Sequence, residues 1–335
     1  MLTKCLQRSI LRTFSPAHTL KLNNNMSDGS SSQTDSNLKG EVIRSFLTLE
    51  NLDPNIFRAS NENLWHPQGS RFIFGGQVVG QALVAACNTV SHDHHAHSLH
   101  CYFLRGGNSN WPILYHVDRT RDGETYSSRS VKASQDGKAI FTMQTSFKKD
   151  EPQGYHFQME MPQVEGPDNL MSTDELLRLR LENKGISDRE KEFINRMLSQ
   201  NLPIIIRPCD PEGYYRVKIS EPKRFLWMKA AGHIGEDTKL HQCVAAYMSD
   251  FSLLGTALQP GGMNYRINFM TSLDHTIWFH NPFRVDEWML YEAFSPHAGN
   301  GKAFCHGRVW KQDGTLAMSV AQEGVIRLEP VAAKL

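Results

Sequence analysis

Residues 72–90 carry apolar, small and uncharged polar side chains and no charged one. At their centre stands Phe74-Gly75-Gly76-Gln77-Val78-Val79-Gly80-Gln81-Ala82-Leu83. A helix that is apolar nearly all round must be covered on nearly all sides, so the pattern predicts a buried helix over 75–90. Its glycine entry leaves backbone N–H groups open to a ligand's oxygen. The alternative is an ordinary core helix whose glycines serve packing. A short helix over 41–52 comes before it. Alternating runs predict strands near 98–105, 112–120, 125–135 and 138–147, the last with Phe141, Met143 and Phe147 on one face. The stretch 150–215 is polar, with Pro152, Pro162 and Pro167, then a charged helix around 173–200. It reads as a long connection lying on the surface. The earlier pattern then returns, with a helix over 240–258 and strands near 271–280, 287–295, 302–311 and 315–327.

Short matches tie the two stretches together. Ser98-Leu99 corresponds to Ser272-Leu273, and Gln135-Asp136-Gly137 to Gln312-Asp313-Gly314. The Asp-Gly pairs between alternating runs are hairpin signals. Element order agrees as well, so the chain reads as an α+β protein of two tandem units, each a helix followed by an antiparallel sheet. They occupy 41–149 and 216–330, joined by 150–215. Residues 24–40 are rich in Asn, Ser, Asp and Gly and predict no packed core.

The halves differ in chemistry. Aligning the final strands on their Asp-Gly turns places Ala139, Phe141 and Met143 against Leu316, Met318 and Val320, and Thr145 against Gln322. Gln322 thus brings an amide to an apolar face, where an unpaired polar group costs about 1–3 kcal/mol. The second helix carries Asp250 in an otherwise apolar run, and Ser272 opens the next strand. A carboxylate in an apolar setting is a stronger base near neutral pH. Carboxylate, hydroxyl and amide together can hold and activate one water. The chain has no Gly-x-Ser-x-Gly elbow of a serine nucleophile. Hydrolysis of an activated carbonyl by water fits these parts, with N–H groups at a helix start for the oxyanion.

Lys plus Arg is 36 and Asp plus Glu 35, so no electrostatic footprint for nucleic acid exists. No apolar run reaches the ~18 residues of a membrane span. Six scattered cysteines without a CxxC read as reduced thiols. His92, His94, His95, His97 and His100 read as a polar loop before a strand, and no cofactor or metal is called for. Both ends resemble address labels. Leu2, Leu6, Ile10 and Phe14 alternate with Lys4, Arg8 and Arg12 in a start free of acid, which is the pattern of a mitochondrial transit peptide. The chain ends Ala333-Lys334-Leu335, one small-for-small change from the Ser-Lys-Leu peroxisome signal. Initiation at Met26 would remove the first label and keep the second.

Four segments carry a family resemblance: the run from Phe74 to Leu83, His97-Ser98-Leu99-His100-Cys101-Tyr102-Phe103, Ser272-Leu273-Asp274-His275-Thr276-Ile277-Trp278-Phe279-His280, and Gln322-Glu323-Gly324-Val325. The chain resembles the TesB-type acyl-CoA thioesterase II family, nearest its peroxisomal branch, from residue 41 onward and weakly over 150–215. The resemblance implies a double hotdog fold and hydrolysis of fatty acyl-CoA to fatty acid and CoA. It places the catalytic residues on Asp250, Ser272 and Gln322. Gly75, Gly76, Gln77, His275 and Trp278 are further candidate substrate contacts, with His275 and His280 beside Trp278 also read as orienting or packing groups; the C-terminal tripeptide implies a peroxisomal import receptor as partner, and the resemblance implies a homo-oligomer. Asn108 departs from the Asp common in that family. Arg105, Arg119, Arg121 and Arg129 are candidates for the CoA phosphates. A hotdog hydratase fits less well, because its Asp-x-Asn-Pro-x-His motif is missing. A non-catalytic acyl-CoA-binding module is opposed by Asp250, which would only cost stability in an apolar groove.

Overall fold

Two helices lie against each other at the centre, α1 (Gly75–Cys87) and α4 (Thr238–Ser249), and antiparallel strands wrap around both. The computed structural model describes residues 41 and 43–330, apart from 68, 69, 153, 184 and 201. Both address labels therefore lie outside the described residues.

Eleven of the thirteen residues of α1 are buried, as its composition requires. The first half supplies β1 (Glu50–Asp53), β2 (Ile56–Ala59), β3 (His95–Phe103), β4 (Ile113–Asp122), β5 (Tyr126–Gln135) and β6 (Lys138–Lys148). The second supplies β8 (Lys223–Ala230), β9 (Tyr265–Ser272), β10 (Asp274–Phe279), β11 (Met289–Gly299), β12 (Lys302–Lys311) and β13 (Leu316–Pro330). The sheet runs β1-β2-β4-β5-β6-β3-β10-β13-β12-β11-β8, with β7 (Ile204–Pro208) at the far edge and β9 paired on β13. The path β2-β4-β5-β6-β3 is repeated as β8-β11-β12-β13-β10, each around its own helix. This is the double hotdog, and β3 joins β10 along its seam, with Cys101 opposite His275.

The β5–β6 turn is a tight one, with Asp136 at φ 50° and Gly137 at φ 69°, as an Asp-Gly hairpin demands. The strand-based match of Ser98 with Ser272 is two residues out. Phe103 lies opposite Phe141 and Phe279 opposite Met318, so Phe103 corresponds to Phe279, and Leu99 to His275. The break between β9 and β10 at Leu273 absorbs the difference. The second helix is also shorter than its apolar run: α4 stops at Ser249, and residues 254–261 continue as a 3-10 helix.

The stretch 150–215 does more than connect. It forms α2 (Thr173–Leu181) and α3 (Asp188–Leu198) in place of one long helix, and it adds edge strand β7. Both helices begin at serines whose hydroxyls cap the first turn, Ser172 and Ser187. Met161, Val164 and Leu170 cover Trp227, Leu290 and Trp310 on the outer face of the second half. Trp227 Nε1 donates to Glu165 O at 2.8 Å, tying this strap down.

Candidate active site

The close approach of α1 to α4 builds the site. A Cβ at Gly76 would stand 2.4 Å from the carbonyl oxygen of Tyr247, and one at Gly80 would stand 3.1 Å from that of Cys243. At Gly76 only glycine lets these backbones meet, and at Gly80 a side chain would crowd them. The contact brings the start of α1 to the end of α4, where Asp250 is the C-cap. Gly76 N–H donates to Asp250 Oδ2 at 2.9 Å. Two strands of the second half complete the shell. Gln322 of β13 donates from Nε2 to Asp250 Oδ1 at 2.7 Å and also reaches Ser272 Oγ. Ser272, the last residue of β9, directs its hydroxyl to Asp250 Oδ1 at 3.4 Å. Asp250 thus accepts hydrogen bonds from both repeats.

Asp250, Ser272 and Gln322 are brought together, with Gly75 and Gly76 beside them. Gln322 is fully buried, and its Oε1 has no partner among the described residues. The Gly75 backbone lies so near that a Cβ there would be 3.0 Å from Asp250 Oδ2 and 3.1 Å from the Phe103 ring. The approach is aromatic: Phe74 and Phe251 have ring centroids 4.3 Å apart, and Trp65 lies edge-on to Phe74 at 5.5 Å. Sequence reading missed this wall. Phe74 and Phe251 directly adjoin Gly75 and Asp250, whereas Trp65 comes from further back in the loop before α1.

The structure puts the other candidates elsewhere. Gln77 is wholly buried and spends its amide on the backbone of Phe46, Asn63 and Trp65, fastening the entry loop to α1. Trp278 lies on the outer face of the sheet, edge-on to His100 at 5.5 Å. His275 is behind Asp250, with Nε2 2.8 Å from Ser249 Oγ, and burial lowers its pKa while the nearby Asp250 charge opposes that fall. Arg129 is not a surface phosphate contact: it is 1% exposed and bonds to Thr89, Arg121 O, Ser128 O and Asp122. Arg105 donates to Ala139 O at 2.7 Å and Arg119 to Asn55 Oδ1 at 2.8 Å.

The fold and the cluster define a hotdog pair with a bonded Asp, Ser and Gln at its helix junction, and comparison with known proteins gives its family. Residues 62–148 match the acyl-CoA thioesterase N-terminal domain model, and residues 210–325 match the acyl-CoA thioesterase model. Human acyl-coenzyme A thioesterase 8 is 47% identical over 294 residues, 88% of this chain and 91% of the relative. Acyl-CoA thioesterase 2 of Haemophilus influenzae is 35% identical over 84% of this chain and 95% of its own length. Peroxisomal acyl-coenzyme A thioester hydrolase 1 of Saccharomyces cerevisiae is 28% identical over 78% of this chain and 87% of its own. The crystal structure of acyl-CoA thioesterase II TesB2 from Mycobacterium marinum superposes with TM-score 0.66 at 33% identity, covering 86% of this chain and 98% of that one. The chain belongs to the TesB-type acyl-CoA thioesterase family.

Proposed function

We propose that this chain hydrolyses fatty acyl-CoA thioesters to the free acid and CoA, with Asp250 as general base for the attacking water. The observation that carries the assignment is the convergence of Gly76 N–H, Ser272 O–H and Gln322 Nε2–H on one carboxylate at the meeting point of the two helices. These donors hold the carboxylate in one orientation. A water bound beside it, and within reach of Ser272 or Gln322 Oε1, is aimed at a carbonyl seated over Gly75. The water gives its proton to Asp250 as its oxygen bonds to the carbonyl carbon. The oxyanion that forms lies near the N-terminus of α1, where Gly75 N–H and the helix dipole favour negative charge. Collapse breaks the C–S bond and releases CoA thiolate, which takes up the proton carried by Asp250 and restores the base, without a covalent acyl-enzyme. The half-buried rings of Trp65, Phe74, Phe103 and Phe251 offer the acyl chain an apolar path to that carbonyl.

The test is thiol release from medium- and long-chain acyl-CoAs by wild type and Asp250→Asn. Loss of a general base should lower kcat by roughly 10²–10⁴-fold, with acyl-CoA still bound. An active Asp250→Asn variant would sink the base assignment. Binding without thiol release by wild type would favour a non-catalytic module.

The repeat units are taken at 41–149 and 216–330, and the chain is taken to act as a homo-oligomer. Ala333-Lys334-Leu335 supports uptake through a peroxisomal import receptor, in keeping with the name of the yeast relative. The basic start supports a mitochondrial form made from Met1. Imaging forms begun at Met1 and at Met26 separates these readings; one shared destination would refute the two-address reading.

A further inference from the structure

We infer that His275 is a positioning residue that fixes the end of α4, and through it the carboxylate of Asp250, by holding Ser249 in place. The inference rests on the reading of Asp250 as the base. His275 does not line the substrate's path: it is 0% exposed. Ser249 Oγ donates its single proton to Ala246 O at 2.9 Å. With that proton on the carbonyl, Ser249 Oγ accepts from His275, and the 2.8 Å contact is assigned as an Nε2–H donation. That assignment gives the Nε2–H tautomer, with Nδ1 bare. Nδ1 is buried and has no partner among the described residues.

Ser249 is held a second time. Tyr291 O–H donates to its carbonyl oxygen at 2.8 Å. The residue directly before Asp250 is thus gripped at its side chain by β10 and at its backbone by β11. The backbone of His275 is itself fixed, since its carbonyl accepts from Cys101 Sγ across the seam. The imidazole meets Ser249 Oγ at Nε2 and feels the charge of Asp250 from the end of α4, and no group among the described residues bonds to Nδ1.

The internal repeat supplies an independent argument. Leu99 occupies the position of His275 in the first half, also 0% exposed. A buried leucine therefore satisfies the packing at this point of the fold. A histidine with an orphaned Nδ1 is a costlier occupant than an apolar side chain, and it appears in the half that carries Asp250. The polar pair is explained by what it holds.

The experiment measures kcat, KM and pH profiles for His275→Leu, His275→Gln, Ser249→Ala and the His275→Leu/Ser249→Ala double variant, beside Asp250→Asn. Misplacing a reacting group by about 1 Å costs on the order of 10²-fold, so His275→Leu and Ser249→Ala should each lower kcat by roughly 10–100-fold. KM should stay within about twofold, because neither side chain meets substrate. The double variant should be no worse than the poorer single one, since both remove one bond. His275→Gln can donate in place of Nε2–H, so it should recover most of kcat with the acid limb of the pH profile unmoved. Multiplying single effects, or a variant pair with wild-type kcat, would overturn the inference. So would an acid limb that moves in His275→Gln, which would make the imidazole a proton carrier. If Asp250→Asn is itself active, the base assignment fails instead.

Discussion

Replacing Gly76 by alanine tests the central geometric claim, that one helix-to-helix contact both closes the fold and orients the carboxylate. The added methyl would sit 2.4 Å from Tyr247 O and 2.6 Å from the Phe74 ring edge. The first of these is backbone of α4, which cannot turn aside as a side chain can. The helices must separate by several tenths of an ångström or more, and overpacking of this kind costs about 1–3 kcal/mol. The same movement draws residue 76 N–H away from Asp250 Oδ2, now at 2.9 Å. A hydrogen bond to a charged group contributes about 1.5–3 kcal/mol, and part of that is lost too. The combined fall in unfolding free energy should be about 3 kcal/mol, read from urea denaturation. Activity should fall further than stability explains: the folded variant should show kcat lower by roughly 10²-fold through misplacement of the base. Gly75→Ala is the control. Its methyl would meet Asp250 Oδ2 and Phe103 at 3.0–3.1 Å, contacts with side chains that can give. It should lose less stability but still lose activity, because the methyl covers the carboxylate and the place proposed for the carbonyl. A Gly76→Ala variant with wild-type urea midpoint and kcat within about threefold would refute the reasoning.

Two further outcomes follow from buried groups. Arg129→Ala should lower unfolding free energy by about 3 kcal/mol through lost charged hydrogen bonds while leaving KM for acyl-CoA within about twofold; a tenfold rise in KM at unchanged stability would restore Arg129 as a phosphate contact. Stability should also fall on acidification below the ordinary histidine value. Burial holds His275, His97 and His306 below 6.5 in the fold, so near pH 6 the unfolded chain binds more protons than the native one. The contribution is present above the unfolded pKa and is lost as pH drops below it, by up to about 1.4 kcal/mol per pH unit for a fully buried group such as His275. Urea midpoints should decline from pH 7.5 to 5.5, less steeply in His275→Leu; a flat or rising midpoint would contradict the burial argument.

Much of this was legible from residue patterns. The uncharged run after Arg71 marked α1 as buried, and the alternation of 138–147 marked its inward face. Asp250 and Gln322 stood out because polar groups on apolar faces require partners, and in the fold they partner each other. Other features were opaque for physical reasons. Strands β1, β2 and β7 are short or lie at edges, where neither composition nor alternation is strong. The position of Trp278 depends on strand facing: a tryptophan between two histidines reads as a site motif, but at two-residue alternation it falls on the face opposite His275. Arg129 looks like a surface arginine until β5 and the loop after α1 fold around it. Ser272 was found for its chemistry while its alignment with Ser98 was two residues out, because the break at Leu273 is a bend in the backbone that a local match cannot register.

The construction also explains why a single site emerges from two copies of one fold. Each repeat wraps its own helix, but neither holds all the parts. Asp250, Ser272 and Gln322 come from the second repeat, and Gly76 N–H from the first. The shell closes only where the start of α1 meets the end of α4, and that meeting needs glycine on one helix and the cap residue on the other. The packing of the two repeats is therefore part of the geometry proposed for catalysis. Substitutions along the α1–α4 contact should move stability and kcat together. Substitutions on the outer strap, at Met161 or Val164, should move stability alone.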